Sequence, residues 1–347
     1  MKAVALYLPQ FHQIPENDAW WGEGFTEWTN VKRAGPRYPG HYQPHVPHPA
    51  IGYYALDDVA FIEKQHAMAL RYGVGAFCYY YYHLAGRNIL GKPLEIINAS
   101  HNIKNEFCLC WANHDWTRTW FGQSKELLVK QTYSPEEAQK IIEDMSRFFV
   151  NPRYIKINGR PLLLVFSPAD IPIIHEYREI WNAHVRGLGL ESLYLVTFEV
   201  LEQGVNPALY GFDAALEFGP DWVCAAHLPK EQGFPRRVDY TETVKRMMQK
   251  PLPPYQRMRT VFPGWDNTPR YGESGLVFEN DSLGAFRFFT EYALRHTREN
   301  LPEHLQYLFI NAWNEWGEGC HLEPDTRTGF LPLRIVREAM QAICPAP

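Results

Sequence analysis

The sequence predicts a single parallel (β/α)8 barrel spanning residues 1–347, with a long loop after its first strand. Three observations predict it. Eight short apolar runs alternate with helix-patterned or irregular segments. Seven of the eight runs end in polar or aromatic side chains, where such a barrel places its site. The rival, an open doubly wound sheet, lacks its support, because no Gly-rich dinucleotide or phosphate fingerprint occurs. Patterning alone does not show closure.

Residues 3–8 form an apolar run stopped by Pro9, as in a buried strand. From Gln10 to about Tyr54 the chain is rich in Pro, Gly, His and Trp without sustained period, and a loop of that length is usually functional. Residues 56–72 carry Val59, Ile62, His66, Ala69 and Leu70 at helical spacing, with Asp57 and Asp58 at the start and Gly73 at the end. Residues 75–82 are the second strand, ending in four tyrosines and then His83, and 93–100 a short helix. The third strand, 107–111, leads into Asn113, His114 and Asp115. Ser134 opens a helix to about Val150, with Glu137 placed for a capping box.

Strand four is 161–166, followed by a helix over 172–188. Strand five, 193–198, ends at Glu199, and its connection to the next strand has no clear pattern. Strand six, 214–218, contains Glu217 and precedes a helix over 240–249. Strand seven, 259–262, opens into Pro263-Gly-Trp-Asp-Asn267 before a long amphipathic helix over 282–298. Strand eight is 306–310, and 331–343 the closing helix.

The eighth run empties into Asn311-Ala-Trp-Asn-Glu-Trp-Gly-Glu-Gly-Cys320, which delivers Glu315 and Glu318 between two tryptophans and two glycines. Glycosidic hydrolysis needs one carboxylic acid to protonate the leaving oxygen and a second carboxylate on the anomeric side. Apolar walls from Trp313 and Trp316 would raise one pKa and so divide acid from base. The competing reading is a loop of solvated acids with its indoles in the core.

Together with Tyr7-Leu-Pro-Gln-Phe-His12, Trp20-Trp-Gly-Glu-Gly-Phe-Thr-Glu-Trp28 and Phe262-Pro-Gly-Trp-Asp-Asn267, this stretch resembles the WbsX-type polysaccharide proteins, relatives of the family 99 endo-α-mannosidases and endo-α-mannanases. The resemblance covers nearly the whole chain. It implies that Glu315 acts as a base on the sugar 2-hydroxyl, giving a 1,2-anhydro sugar, and that Glu318 is the acid and then the base toward water, with overall retention. An ordinary retaining pair, with a carboxylate attacking the sugar directly, stays open, as does Glu199 or Glu217 as the partner carboxylate. Mannose is implied only by the distant relatives.

The strand ends nominate a substrate-binding set: Tyr7, His12, Trp28, Tyr82, His83, Trp111, Asn113, His114, Asp115, Glu199, Glu217, Trp265, Asp266, Asn267, Arg270, Trp313 and Trp316. Glu199 and Glu217 have a plainer reading as partners of a neighbouring Arg or Tyr. Trp20, Trp21 and Trp28, with Glu23 and Glu27, either wall a sugar subsite or clasp the long loop. Trp111 and Trp116 flank Asn113 to Asp115 in the same way.

Composition agrees with a carbohydrate enzyme and excludes other classes. The hydrophobic fraction of 46% supports a core, and the 15% of aromatics, including 11 Trp and 20 Tyr, offers flat faces for sugars. A net charge of −5 argues against a nucleic-acid groove. Six cysteines show no metal spacing; Cys108 and Cys110 share one strand face, and free thiols suit a reducing compartment. His12, His83, His114 and His321, near Asp115 and Asp266, invite a metal, but no His-x-His or His-Glu-x-x-His spacing occurs, so neither metal nor cofactor is expected. Gly-x-Ser-x-Gly is absent, and Cys320 has no evident activating partner. The start of the chain reads as a strand rather than a signal peptide, and no run approaches the roughly 20 apolar residues of a membrane span. A cytoplasmic protein with an oligosaccharide or polysaccharide substrate is expected. The functions left standing are hydrolysis, glycosyl transfer or transglycosylation in polysaccharide synthesis, and a non-catalytic sugar-binding barrel.

Overall fold

The computed structural model describes residues 1–84, 86–118, 126–200, 205–226 and 235–344. Eight strands close into a parallel barrel: β1 (Lys2–Tyr7), β2 (Val74–Leu84), β3 (Glu106–Trp111), β4 (Arg160–Val165), β5 (Tyr194–Glu199), β6 (Ala214–Glu217), β7 (Arg257–Val261) and β8 (Tyr307–Ile310). Closure is made by β1, which pairs with β2 on one side (Ala5↔Phe77) and β8 on the other (Ala5↔Ile310). Most strands are largely apolar because barrel contents and outer helices bury both faces, although β7 carries Arg257 and Arg259. In β1, Ala3 to Tyr7 are all fully buried.

The outer layer comprises α1 (Val59–Arg71), α2 (Lys92–Ala99), α3 (Pro135–Phe149), α4 (Ile174–Gly187), α5 (Tyr240–Met248), α6 (Leu283–Asn300) and α7 (Leu331–Ile343). Local chemistry sets their starts. Asp58 Oδ1 accepts from the amides of Ala60 and Phe61, so α1 begins at Val59, three residues beyond the expected start. Ser134 Oγ accepts from Glu137 N at 3.2 Å, but Glu137 turns its carboxylate to Lys140, so only half of the expected capping box forms. Between β5 and β6 the described residues hold a 3-10 turn, Pro207–Tyr210, in place of a helix.

The first loop is more ordered than its sequence suggests. It holds two helices, Pro15–Trp21 and Glu27–Arg33, each too short to display a period. β2 also outruns its expected end, continuing to Leu84 and folding back onto Arg87–Ile89. No helix among the described residues is long and apolar enough to cross a membrane.

Candidate active site

Beyond β8 the chain is held to β1 from both sides. Trp313 N donates to Leu6 O at 2.8 Å, and the Asn314 side chain pairs with both backbone groups of Leu8, at 2.8 and 2.9 Å. A tight hairpin follows, with Asn314 opposite His321 and Glu315 opposite Cys320. Its tip is a 3-10 turn, Trp316–Glu318, ended by Gly319 at φ +59°. The turn sets Glu315 and Glu318 side by side, and Asp266 N anchors it by donating to Glu318 O at 2.6 Å.

Arg270 completes the group. Its Nη1 donates to Glu318 Oε1 at 2.6 Å, its Nη2 to Glu315 Oε2 at 2.8 Å, and its Nε to Glu27 Oε1 at 2.7 Å. Glu27 arrives from the first residue of a loop helix and is fully buried. A Cβ on Gly317 would lie 1.7 Å from Glu27 Oε1, so glycine is required for this close approach.

One guanidinium therefore faces three carboxylates. Burial pushes the Glu318 carboxyl up to about 8; Arg270 opposes this, while Glu315 and Glu27 add to it. Burial also raises Glu315, again against Arg270 and with Glu27. The pair can hold one proton between them near neutrality, which suits one acid and one base.

Two cavities meet at Glu315 and Tyr82. One, of about 350 Å3, is walled by Tyr80, Phe166, Phe218, Trp222 and Trp265 and includes His114, Asn267 and Glu318. The other, of about 190 Å3, is lined by Trp21, Asp115, Trp116 and Arg270. Of the nominated residues, Tyr82, His114, Asp115, Trp265, Asn267, Arg270, Glu315 and Glu318 thus come together. Asp266 stands behind the turn, accepting from His41 Nε2 at 2.7 Å and Gln43 Nε2 at 2.6 Å.

The other nominated residues are placed elsewhere, several by strand parity. Successive side chains alternate between the barrel interior and the helices. Tyr82 therefore faces inward while His83 faces out, 3.3 Å from Asp144 of α3. Tyr7 likewise points out, its hydroxyl donating to Gln65 of α1 at 2.7 Å. Trp111 packs against Tyr177 and Trp181 of α4, with its ring 5° from parallel to Tyr177. Glu199 and Glu217 face outward into a buried ion network: Lys250 lies 2.9 Å from Glu217 and 3.6 Å from Glu199, and Arg259 and Arg257 back them. Neither lines the two cavities that hold Glu315 and Glu318.

His12 is buried in the first loop outside both cavities. Asn113 ties strand ends together, exchanging hydrogen bonds with the backbone of Ser167. Trp28 clasps the loop, donating to Tyr54 O at 2.7 Å and packing on Trp316. Trp316 is itself fully buried, with a face on His321 at 3.7 Å, so it presents no face to a sugar. Trp313 is also fully buried. Cys320 is a buried thiol donating to Asn311 O.

Sequence reading missed Glu323. Both indoles donate to it, Trp313 Nε1 at 3.1 Å and Trp316 Nε1 at 2.7 Å, as do Tyr54 Oη at 2.7 Å and Gln65 Nε2 at 2.5 Å. Burial raises its carboxyl to about 7 and these donors pull it down. Nothing in the local sequence around Glu323 distinguishes it, since its partners lie up to 269 residues away.

The family described as "Glycosyltransferase WbsX" matches residues 3–336. WxcX of Xanthomonas campestris pv. campestris, an uncharacterized protein, is 38% identical over 343 residues, which are 97% of this chain and 49% of WxcX. WxcX of strain B100 is 39% identical over the same length. The chain thus spans about half the length of the curated relatives it matches. The family GH99 endo-alpha-mannosidase of Bacteroides thetaiotaomicron superposes with a TM-score of 0.62 at 14% identity, over 98% of this chain and 97% of that one. A glycoside hydrolase-like protein superposes at 0.59 with 14% identity, over 97% and 93%. At such identities the likeness is one of fold. The family match over nearly the whole chain, and the identity to WxcX, place it: the chain belongs to the WbsX family.

Proposed function

We propose that this chain is a retaining glycoside hydrolase acting on a bacterial surface polysaccharide or its oligosaccharides, with Glu318 as acid and Glu315 as base. The observation that carries the reading is the carboxylate pair on Arg270, at the meeting point of two aromatic-walled cavities. Ionised Glu315 takes the proton of the sugar 2-hydroxyl, and that oxygen attacks the anomeric carbon. The glycosidic bond breaks as Glu318 protonates the leaving oxygen. Water then opens the 1,2-anhydro sugar, giving its proton to Glu318 while Glu315 returns one to the 2-oxygen. Two displacements leave the anomeric configuration unchanged. Cavities on either side of Glu315 support binding of sugar units on both sides of the bond.

The test is reducing-sugar release from a panel of bacterial surface polysaccharides, with the anomer of the first product read by NMR. Release with retention supports the reading; no release by the wild type from any member overturns it. The family's description favours one second reading, transfer of the glycosyl unit to a sugar hydroxyl instead of water. Added oligosaccharide acceptors then yield longer products in place of reducing ends.

A further inference from the structure

We propose that His45, His321 and Asp325 form a binding site for one divalent transition-metal ion of the zinc class, which pins the first loop to the segment behind the catalytic turn. Backbone pairing brings the three together. His48 N donates to Pro324 O and Thr326 N to Val46 O, both at 2.9 Å, with Pro47 bridged to Asp325. His45 Nδ1 then lies 2.9 Å from His321 Nε2, and one ligand atom from each of the three residues falls within 4.8 Å of the others.

The chemistry of the donors favours a cation. His321 Nδ1 lies 2.9 Å from the carbonyl oxygen of Glu323, so Nδ1 carries the proton and the lone pair of Nε2 points at His45. A carbonyl-backed imidazole is the usual outer-shell arrangement of a metal-bound histidine. Two nitrogens bound at about 2.0–2.1 Å sit roughly 3.3 Å apart at the tetrahedral angle. At 2.9 Å the two ring nitrogens are within N–H···N distance and need to spread by only a few tenths of an ångström to bind one ion.

Two further features separate these cases. Asp325 accepts Thr328 N and Oγ1 on Oδ1 alone, at 2.6 and 2.8 Å, leaving its other oxygen without a protein partner among the described residues. A cavity of about 280 Å3 adjoins all three side chains and gives room for water to complete the coordination shell. Two imidazoles and one carboxylate make a borderline-soft set suited to zinc, cobalt or nickel rather than magnesium or calcium. Arg327 lines the same cavity and opposes a cation; it is exposed and lies over the Tyr42 ring, where solvent screens it. Asp281, on the same wall, offsets it.

None of the three residues lines the two cavities that hold Glu315 and Glu318, so the ion acts on structure rather than on the reacting atoms. Because His321 stacks on Trp316, the ion stiffens the back of the catalytic turn.

Chelator-stripped full-length protein is dialysed against zinc and analysed for metal, and its melting temperature is followed as zinc is added. One ion per chain, a rise in melting temperature with zinc, and binding weakened about tenfold or more in His45→Ala and Asp325→Asn are expected. Zinc binding that is absent, or that is unchanged in both variants, overturns the proposal. Should the variants fail to fold, cobalt added to the wild type decides. Ligand-field bands of a nitrogen-bound ion at one equivalent support the site, and a spectrum of hydrated cobalt sinks it.

Discussion

Arg270 reaches Glu318 through Nη1 at 2.6 Å, and through this contact the acid of the candidate pair is moderated rather than neutralised. Burial and two neighbouring carboxylates hold the Glu318 proton, while Arg270 pulls the other way. The balance leaves an acid that is still protonated near neutrality beside a base that shares the same guanidinium.

Glu318→Gln and Glu315→Gln are each expected to lower kcat by about 10²–10⁴-fold while sugar affinity stays within a few-fold. Calorimetric binding and steady-state rates measure the two effects. An activated leaving group should rescue only Glu318→Gln, since it removes the need for an acid; rescue of Glu315→Gln instead would exchange the two roles.

The rate should fall as pH rises through about 8, where Glu318 loses the proton it must donate. It should also fall on the acid side, at a pH above the ordinary carboxylate value of 4.5, where Glu315 becomes protonated. Both limbs belong to the coupled pair. Glu27→Gln removes a charge that raises both groups, so both limbs should move down. A pH–rate profile with an unmoved alkaline limb would contradict this. Stability follows the same sign: between 4.5 and about 8 the folded chain holds a proton on Glu318 that the unfolded chain has released, so this group's contribution declines as pH rises.

Gly317→Ala is expected to destabilise the fold by about 1–3 kcal/mol and to displace Glu27 and Arg270, with a large loss of kcat. The added Cβ has nowhere to go against Glu27 Oε1. Gly187→Ala is the control, since nothing lies within 4 Å of its Cβ at the end of α4. It should be neutral or stabilising by up to about 1 kcal/mol. Equal denaturation midpoints for the two variants would refute the packing argument.

Glu323→Ala leaves four buried donors unpaired and should destabilise by at least about 3 kcal/mol, given roughly 1–3 kcal/mol for each orphaned group and incomplete additivity. Urea denaturation measures it; a change below about 1 kcal/mol would mean that the hub contributes little.

Lys250→Met strips the cation from Glu217 and Asp221, at 2.9 and 2.6 Å, and should cost about 3–5 kcal/mol while kcat per folded molecule holds. A specific loss of kcat, with stability intact, would return Glu199 or Glu217 to the chemistry.

The succession of strands and helices and the carboxylate-bearing turn were legible because both are local. Apolar runs of the right length mark the elements, though not their exact ends, since the Asp58 cap starts α1 three residues beyond the expected position, and Glu315 and Glu318 sit three residues apart beside their glycine. The face on which a strand-end residue falls was not legible. Tyr82 and His83 are equally polar neighbours at one strand end, yet a step of one residue sends one to the cavity and the other to Asp144. Glu199 and Glu217 went outward for the same reason, and Trp28, Trp313 and Trp316 became supports because Glu323 and Tyr54 claimed their indole N–H groups.

By itself the sequence determined the alternation of strands and helices, the family, and the pair of carboxylates after β8, since each is written in residues adjacent along the chain. Tertiary structure alone decided that Glu27, Arg270, Glu315 and Glu318 form one ionic cluster. Glu27 and Arg270 are 243 residues apart and meet only because barrel closure brings β1 beside β8, so that the loop after β1 packs against the turn after β8. Their shared burial, which no local pattern encodes, is what raises both carboxyls of the pair.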